Sequence, residues 1–199
     1  MIGWGHTKFG KHADTSLEAL IGQAVSEAVA HAGIAFDEIE QVFFGHFNAG
    51  FSEQDFTSSL VLQHKDMPHF LPITRVENAC ATGSAAMHAG ACAIEAKRAK
   101  TVLVVGVEKM THLANRDIGS ILARASYVAE EAKFGSFVGV FGHIASQYFN
   151  EYGNANDALA KIAVKNHANG MKNPLAQLQK AVTFDYCATA SEANPMVVS

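Results

Sequence analysis

The chain has 199 residues, 49% of them hydrophobic, which is enough to bury a sizeable core. Its formal net charge of −4, with no basic run beyond the pair Lys97–Arg98, leaves no electrostatic footprint for nucleic acid or for an anionic membrane surface. No apolar stretch reaches the roughly 18 residues a membrane helix needs, and Met1 to Gly5 shows no basic region followed by an apolar run, so the reading is a soluble, unsecreted protein acting on small molecules. The three cysteines, Cys80, Cys92 and Cys187, are odd in number and lack CxxC or finger spacing. They suggest neither a disulfide framework nor a zinc site, and a reducing cytoplasm suits them.

The first element opens at Thr15-Ser16-Leu17-Glu18, where Thr15 is expected to cap a helix and Glu18 to reach back as a capping box. Leu17, Leu20, Ile21, Ala24, Val25, Ala28 and Val29 follow at helical spacing, and Gly33 stands where a left-handed cap belongs. Gln41 to Gly45 is a short β-branched and aromatic run that suits a strand, and a loop from His46 to Ser52 follows it. Ser58 to His64 makes a short helix, Pro68 and Pro72 interrupt regular structure, and Ile73 to Glu77 is a second strand.

Cys80 to Arg98 is dominated by Ala, Gly and Ser, with Met87 and Ile94 as its large apolar side chains, which implies a crowded, buried helix. Thr101 to Val107 is continuously apolar, as in a strand covered on both faces of a parallel sheet. From about 110 to 138 the periodicity fades into a loop-rich insertion. Phe141, Ile144, Ala145, Tyr148, Phe149 and Tyr152 restore helical spacing up to Gly153, and Asn156 caps a further helix that stops near Gly170 and Pro174. The tail from Val182 shows no capped element and ends in the extended-looking Met196-Val197-Val198-Ser199. Strand, helix, strand is the local grammar, and one α/β domain spanning residues 1–199, without repeats, is the simplest organisation.

Cys80 follows a strand and opens the small-residue helix. A helix amino terminus carries unsatisfied N–H donors and about half a positive charge, which stabilises a thiolate and can hold a developing oxyanion. Nucleophile and part of the oxyanion site would share one turn of backbone. A small buried core residue is the other reading of a free cysteine, and spacing alone leaves both open. The ten histidines are scattered and form no HExxH or other compact ligand pattern, so no metal is expected. His46 and Asn48 border a strand end, where α/β proteins place ligands, yet a structural role is the reading preferred for both. Gly3-x-Gly5 and the glycines from 83 to 90 make no phosphate loop, and Glu108-Lys109-Met110, just beyond a buried strand, is expected to face solvent.

Asn78-Ala79-Cys80-Ala81-Thr82-Gly83-Ser84-Ala85-Ala86 resembles the nucleophilic cysteine motif of thiolases, and Val104-Val105-Gly106-Val107-Glu108-Lys109-Met110 resembles the strand-and-turn segment that follows it in the sterol-carrier-protein-type branch. Val42-Phe43-Phe44-Gly45 is similar to that family's second strand, and Ala190-Ser191-Glu192-Ala193-Asn194-Pro195-Met196 to the segment near the join of its two halves. The resemblance covers essentially the whole chain as an amino-terminal half. It implies an α/β fold, a βαβαβαββ half with a five-stranded mixed sheet flanked by helices, which packs with a second half into a five-layered core.

The resemblance further implies that Cys80 takes an acyl group from acyl-CoA and passes the thioester to CoA or to the carbanion of another acyl-CoA, with CoA thioesters as substrates and no separate cofactor. A histidine base, a second acid/base cysteine and a polar oxyanion residue belong to the carboxy-terminal half, which this sequence does not contain. Cys92 and Cys187 match neither of the family's other positions. Val140, Phe141 and Gly142 resemble a segment lining the acyl pocket, which makes Phe141 a candidate substrate contact. A decarboxylating ketoacyl synthase, with a cysteine at the same place, is the rival enzyme reading; a noncatalytic or truncated subunit is the rival from another class. Because an exposed small-residue face on the Cys80 helix is unfavourable, the chain is expected to self-associate or to pair with a carboxy-terminal half, and the strands before Cys80, the family's usual dimer contact, offer a second interface.

Overall fold

The computed structural model describes residues 1–190, which fall into two compact units. The first comprises Met1–Thr7 and Lys11–Ala114, and the second Lys8–Gly10 with the residues from Asn115 onward. All of the sheet lies in the first.

Helix α1, Leu17–Ala32, buries the apolar stripe Leu17, Leu20, Ile21, Val25 and Val29 and ends on Gly33 at φ 67°, whose N–H reaches the Val29 and Ala30 carbonyls. The cap at its start is Ser16 rather than Thr15: the Ser16 hydroxyl accepts the Ala19 N–H at 3.2 Å. Two good capping residues stand side by side here, and the position of the buried stripe decides between them.

Strand β1, Gln41–Gly45, is central. It pairs in parallel with β2, Ile73–Val76, on one side and with β3, Val102–Gly106, on the other. Val42 and Phe44 point to one face, where they meet α1, Leu60, Val61, Met67, Leu103 and Val105 in the larger core cluster. Leu60 and Val61 belong to the 3₁₀ helix Thr57–Gln63, so the expected helix forms, but in the tighter geometry. Phe43 points to the other face, onto Ala86 and Ala93 of helix α2, Thr82–Glu95, with Val76, Val102 and Val104 alongside. The layers are therefore α1 with the 3₁₀ helix, the sheet, and α2, with side chains of β3 packed on both sides as its continuous apolar pattern requires.

Small residues on α2 let it lie close to the sheet. A Cβ on Gly90 would stand 2.9 Å from Val104 Cγ2 and 3.3 Å from Val102 Cγ1, both on stiff β-branched side chains. Gly90→Val is accordingly expected to destabilise the first unit by about 2 kcal/mol, in the range of core overpacking, as read by urea denaturation. Only this inner face of α2, Thr82, Ala86, Gly90 and Ala93, is buried, which corrects the expectation of a buried helix. Met87 (54% exposed) and Ile94 (42%) lie on the outer face.

The five-stranded mixed sheet is not formed: among the described residues the sheet has three strands, all parallel. At the amino terminus, Gly3 and Gly5 lie against the small face of α1, so close that a Cβ on Gly3 would fall on Ala28 and Ala32 and one on Gly5 on Ala24 and Ala28. Backbone without side chains is docked on a helix there, and the His6 N–H donates to Glu27 Oε2 at 3.1 Å instead of to a strand. Toward the other end, Thr183 caps a short helix, α7, Phe184–Ala188, where no capped element was expected. Met196–Ser199 and nearly all of the segment resembling the inter-half join lie outside the described residues.

The second unit is helical. The stretch read as a loop-rich insertion forms α3, Asn115–Leu122, α4, Val128–Glu131, and single 3₁₀ turns at Ala123–Ala125 and Ala132–Phe134. Helix α5, Phe137–Tyr152, starts at the cap Ser136 and stops at Gly153; α6, Asn156–Gly170, follows. Asn156 is its first helical residue, its N–H held by Asn154 Oδ1 at 2.8 Å, so the side-chain support comes from two residues upstream. None of the helices among the described residues is long and apolar enough to cross a membrane.

Candidate functional site

In a parallel sheet every strand ends on the same edge, so the residues following β1, β2 and β3 converge there. Cys80 follows β2 by four residues. It sits in the 3₁₀ turn Ala79–Ala81 that leads directly into α2, one step ahead of the position expected for it in the first α-helical turn. Its thiol is exposed, against the reading of a small core residue.

The backbone of this turn is unusual. Ala79 has φ 44°, in the left-handed region that a residue with a Cβ seldom enters. Three hydrogen bonds hold it. Glu77 Oε1 accepts the Ala79 N–H, Thr82 Oγ1 accepts the Asn78 N–H at 2.8 Å, and the Thr82 hydroxyl donates to the Ala79 carbonyl at 2.7 Å. Thr82 is itself buried at the end of β1, where Gly45 leaves room for it: a Cβ on Gly45 would stand 3.0 Å from Thr82 Cγ2. Neither Thr82 nor Glu77 stands out in the sequence, because a Thr two residues after a Cys carries no pattern beyond helix-start chemistry.

The ends of β1 and β3 carry a second polar cluster. His46 is 1% exposed; its Nδ1 lies 2.8 Å from the Thr57 hydroxyl and its Nε2 3.2 Å from Glu108 Oε1. The latter is an ion-pair distance without hydrogen-bond alignment, which leaves Oε1 buried with no hydrogen-bond partner among the described residues. A carboxylate can only accept, so in the tautomer with its proton on Nε2 the N–H faces Glu108 and Nδ1 accepts the Thr57 O–H. The other carboxylate oxygen of Glu108 accepts the N–H groups of Phe47 (3.1 Å) and Asn48 (3.4 Å).

Glu108 therefore turns back over the strand end rather than facing solvent, and Lys109 donates to the Thr15 carbonyl at 2.6 Å. Asn48, with φ 57°, accepts the Ser52 N–H at 2.8 Å. His46, through a buried hydrogen bond to Thr57, and Asn48, through partly buried ones, thus hold the loop after β1. Arg75 of β2 completes the edge, donating to the carbonyls of His46 (3.2 Å) and Phe47 (3.3 Å) and pairing with Asp55 at 3.0 Å. A cleft of about 200 Å³ opens beside this cluster, lined by Glu18, His46, Ser52, Gln54, Lys109 and His112 among others, and Cys80 is not in its walls.

Of the remaining candidates, Cys92 is exposed on α2 with its sulfur 3.9 Å from His88 Nε2, and Cys187 is half-buried in α7. Phe141 lies on α5 in the second unit, 57% exposed, its ring edge-on to Phe137 at 5.2 Å. No cluster of His, Cys, Asp and Glu suited to a metal ion occurs among the described residues.

Residues 1–188 match the family model described as "Thiolase, N-terminal domain", and the chain belongs to that family. It is 36% identical over 199 residues to an "Acetyl-CoA acetyltransferase" of Methanocaldococcus jannaschii, an alignment covering 98% of this chain and 50% of that protein. A protein of the same description from Methanothermobacter thermautotrophicus is 35% identical over 187 residues, covering 93% and 48%. "Sterol carrier protein 2" of Gallus gallus is 28% identical over 93% of this chain and 35% of that protein. The chain thus spans about half the length of the archaeal relatives it matches. Among solved structures, an "Ltp2-ChsH2(DUF35) aldolase" superposes with a TM-score of 0.75 at 22% identity, over 98% of this chain and 50% of that one. An acetyl-CoA acetyltransferase from Syntrophomonas wolfei gives 0.64 at 19%, over 86% and 46%. At these identities the superpositions speak to the fold alone, and they agree on a thiolase-like α/β architecture.

Proposed function

We propose that this chain is the amino-terminal half of a thiolase-type acyltransferase, with Cys80 as the acyl acceptor. The observation that carries this reading is the exposed thiol at the β2–α2 turn of a thiolase amino-terminal domain, on a backbone held in an uncommon conformation by hydrogen bonds from Thr82 and Glu77. In the first step the sulfur of Cys80 attacks the carbonyl carbon of an acyl-CoA. The bond from that carbon to the CoA sulfur breaks, and the thiol's proton ends on CoA. The thioester then passes to CoA or to the carbanion of a second acyl-CoA.

The groups that would move protons in these steps, among them the histidine base that activates the nucleophile, are assigned to a carboxy-terminal half. The half-length match to the archaeal relatives supports such a pairing. So does the outer face of α2, where Met87 and Ile94 are exposed among small residues that would allow another backbone to approach closely. Phe141 is retained as a contact for the acyl chain.

The test is incubation of the purified chain with acetyl-CoA, followed by intact-mass and peptide mass spectrometry beside Cys80→Ala. The expected result is a single acetyl group on the Cys80 peptide, lost in the variant. A folded chain that takes up no acetyl group, alone or with a carboxy-terminal thiolase half added, would replace this reading with that of a noncatalytic subunit.

A further inference from the structure

We infer that Thr82 is the positioning residue that sets the direction of the Cys80 thiol; this rests on the proposal that Cys80 accepts the acyl group. The peptide joining Ala79 to Cys80 takes its orientation from the dihedral angles of Ala79, and φ 44° is unfavourable for any residue with a Cβ. Something must hold it there. The Thr82 hydroxyl does so from both sides, accepting the Asn78 N–H at 2.8 Å and donating to the Ala79 carbonyl at 2.7 Å.

Donor and acceptor capacities of one hydroxyl are thus both used on the two residues that precede Cys80. Glu77 also holds this turn, through the Ala79 N–H, but Glu77 and Asn78 are exposed. Thr82 alone among the three is buried, with its methyl group against the end of β1 at Gly45. It therefore couples the cysteine turn to the central strand of the sheet. A valine at this position keeps the shape and the methyl contact but supplies neither half of the bridge, leaving Ala79 to relax to negative φ and rotating the peptide that carries Cys80.

The experiment is alkylation of the full chain by iodoacetamide, with the rate at Cys80 expressed relative to Cys92, which is exposed on the same helix and lies outside the turn. Thr82→Val is expected to lower that ratio roughly tenfold, whereas Thr82→Ser, which restores the hydroxyl, stays within about twofold of the parent. The double variant Ala79→Gly/Thr82→Val is expected to regain most of the loss, because glycine enters positive φ without steric cost. An unchanged ratio in Thr82→Val overturns the inference, and so does a Thr82→Ser variant as slow as Thr82→Val, or a double variant no faster than Thr82→Val alone. Should circular dichroism find Thr82→Val unfolded, Thr82→Ala, which removes the hydroxyl without adding bulk, is read by the same ratio. Lack of acetyl transfer from acetyl-CoA to the parent chain would sink the acyl-acceptor reading and leave the alkylation ratio to decide the role of Thr82 by itself.

Discussion

Replacing Glu108 by alanine is expected to lower the unfolding free energy of the first unit by about 2–4 kcal/mol, measured by urea denaturation followed by circular dichroism. The carboxylate serves three groups: the Phe47 and Asn48 N–H donors on one oxygen and the imidazole of His46 on the other. Its removal leaves a fully buried imidazole without its charged neighbour and frees the loop after β1. The side chain is 26% exposed, so water replaces part of what is lost, which keeps the figure below that for breaking a wholly buried ion pair. Glu108→Gln keeps an oxygen for the two N–H donors and is expected to lose about half as much. A Glu108→Ala protein as stable as the parent would mean that the three groups find equal partners in water, and that Arg75, Thr57 and the strand pairing are enough to hold the strand ends.

Phe44→Ala should cost more, about 3–5 kcal/mol. Phe44 has no exposed surface, stands on the central strand, and is flanked by α1, Leu60, Val61 and the side chains of β3 in the larger core cluster. Its ring also meets that of His46 edge-on, with centroids 5.9 Å apart at 78°. With net stabilities of small domains at about 5–15 kcal/mol, the substitution would bring the unit close to unfolding at ambient temperature. Both strand neighbours hydrogen-bond β1 directly, so the surroundings have little freedom to collapse into the void. A loss under about 1 kcal/mol would show that they do collapse.

Much of this architecture can be read from local chemistry. The stripe of α1, its glycine cap, the short run of β1 and the continuous apolar run of β3 are each dictated by neighbours a few residues away, and each appears where its pattern places it. Cys80 at a strand-to-helix turn is of the same kind. The features that could not be read depend on partners distant in the chain or on backbone angles. Glu108 looks like a solvated charge until His46, 62 residues earlier, is brought beside it. Ala79 gives no hint of positive φ, which is uncommon for any residue with a Cβ. The five-stranded sheet was an inference from resemblance rather than from residues. The small residues that could have warned against an amino-terminal strand, Gly3 and Gly5 opposite Ala24, Ala28 and Ala32, signal their docking on α1 only once the helix exists.

The strand order leaves β1 with partners on both sides and β2 and β3 with one each among the described residues. Each of these outer strands therefore presents a row of backbone donors and acceptors that the sheet itself does not use. Such edges recruit strands from other chains. Where those two margins are unshielded, edge-to-edge assembly in concentrated solution is the expected outcome, read as a scattering mass that grows with concentration, and shelf life would then depend on the margins as much as on the depth of the core.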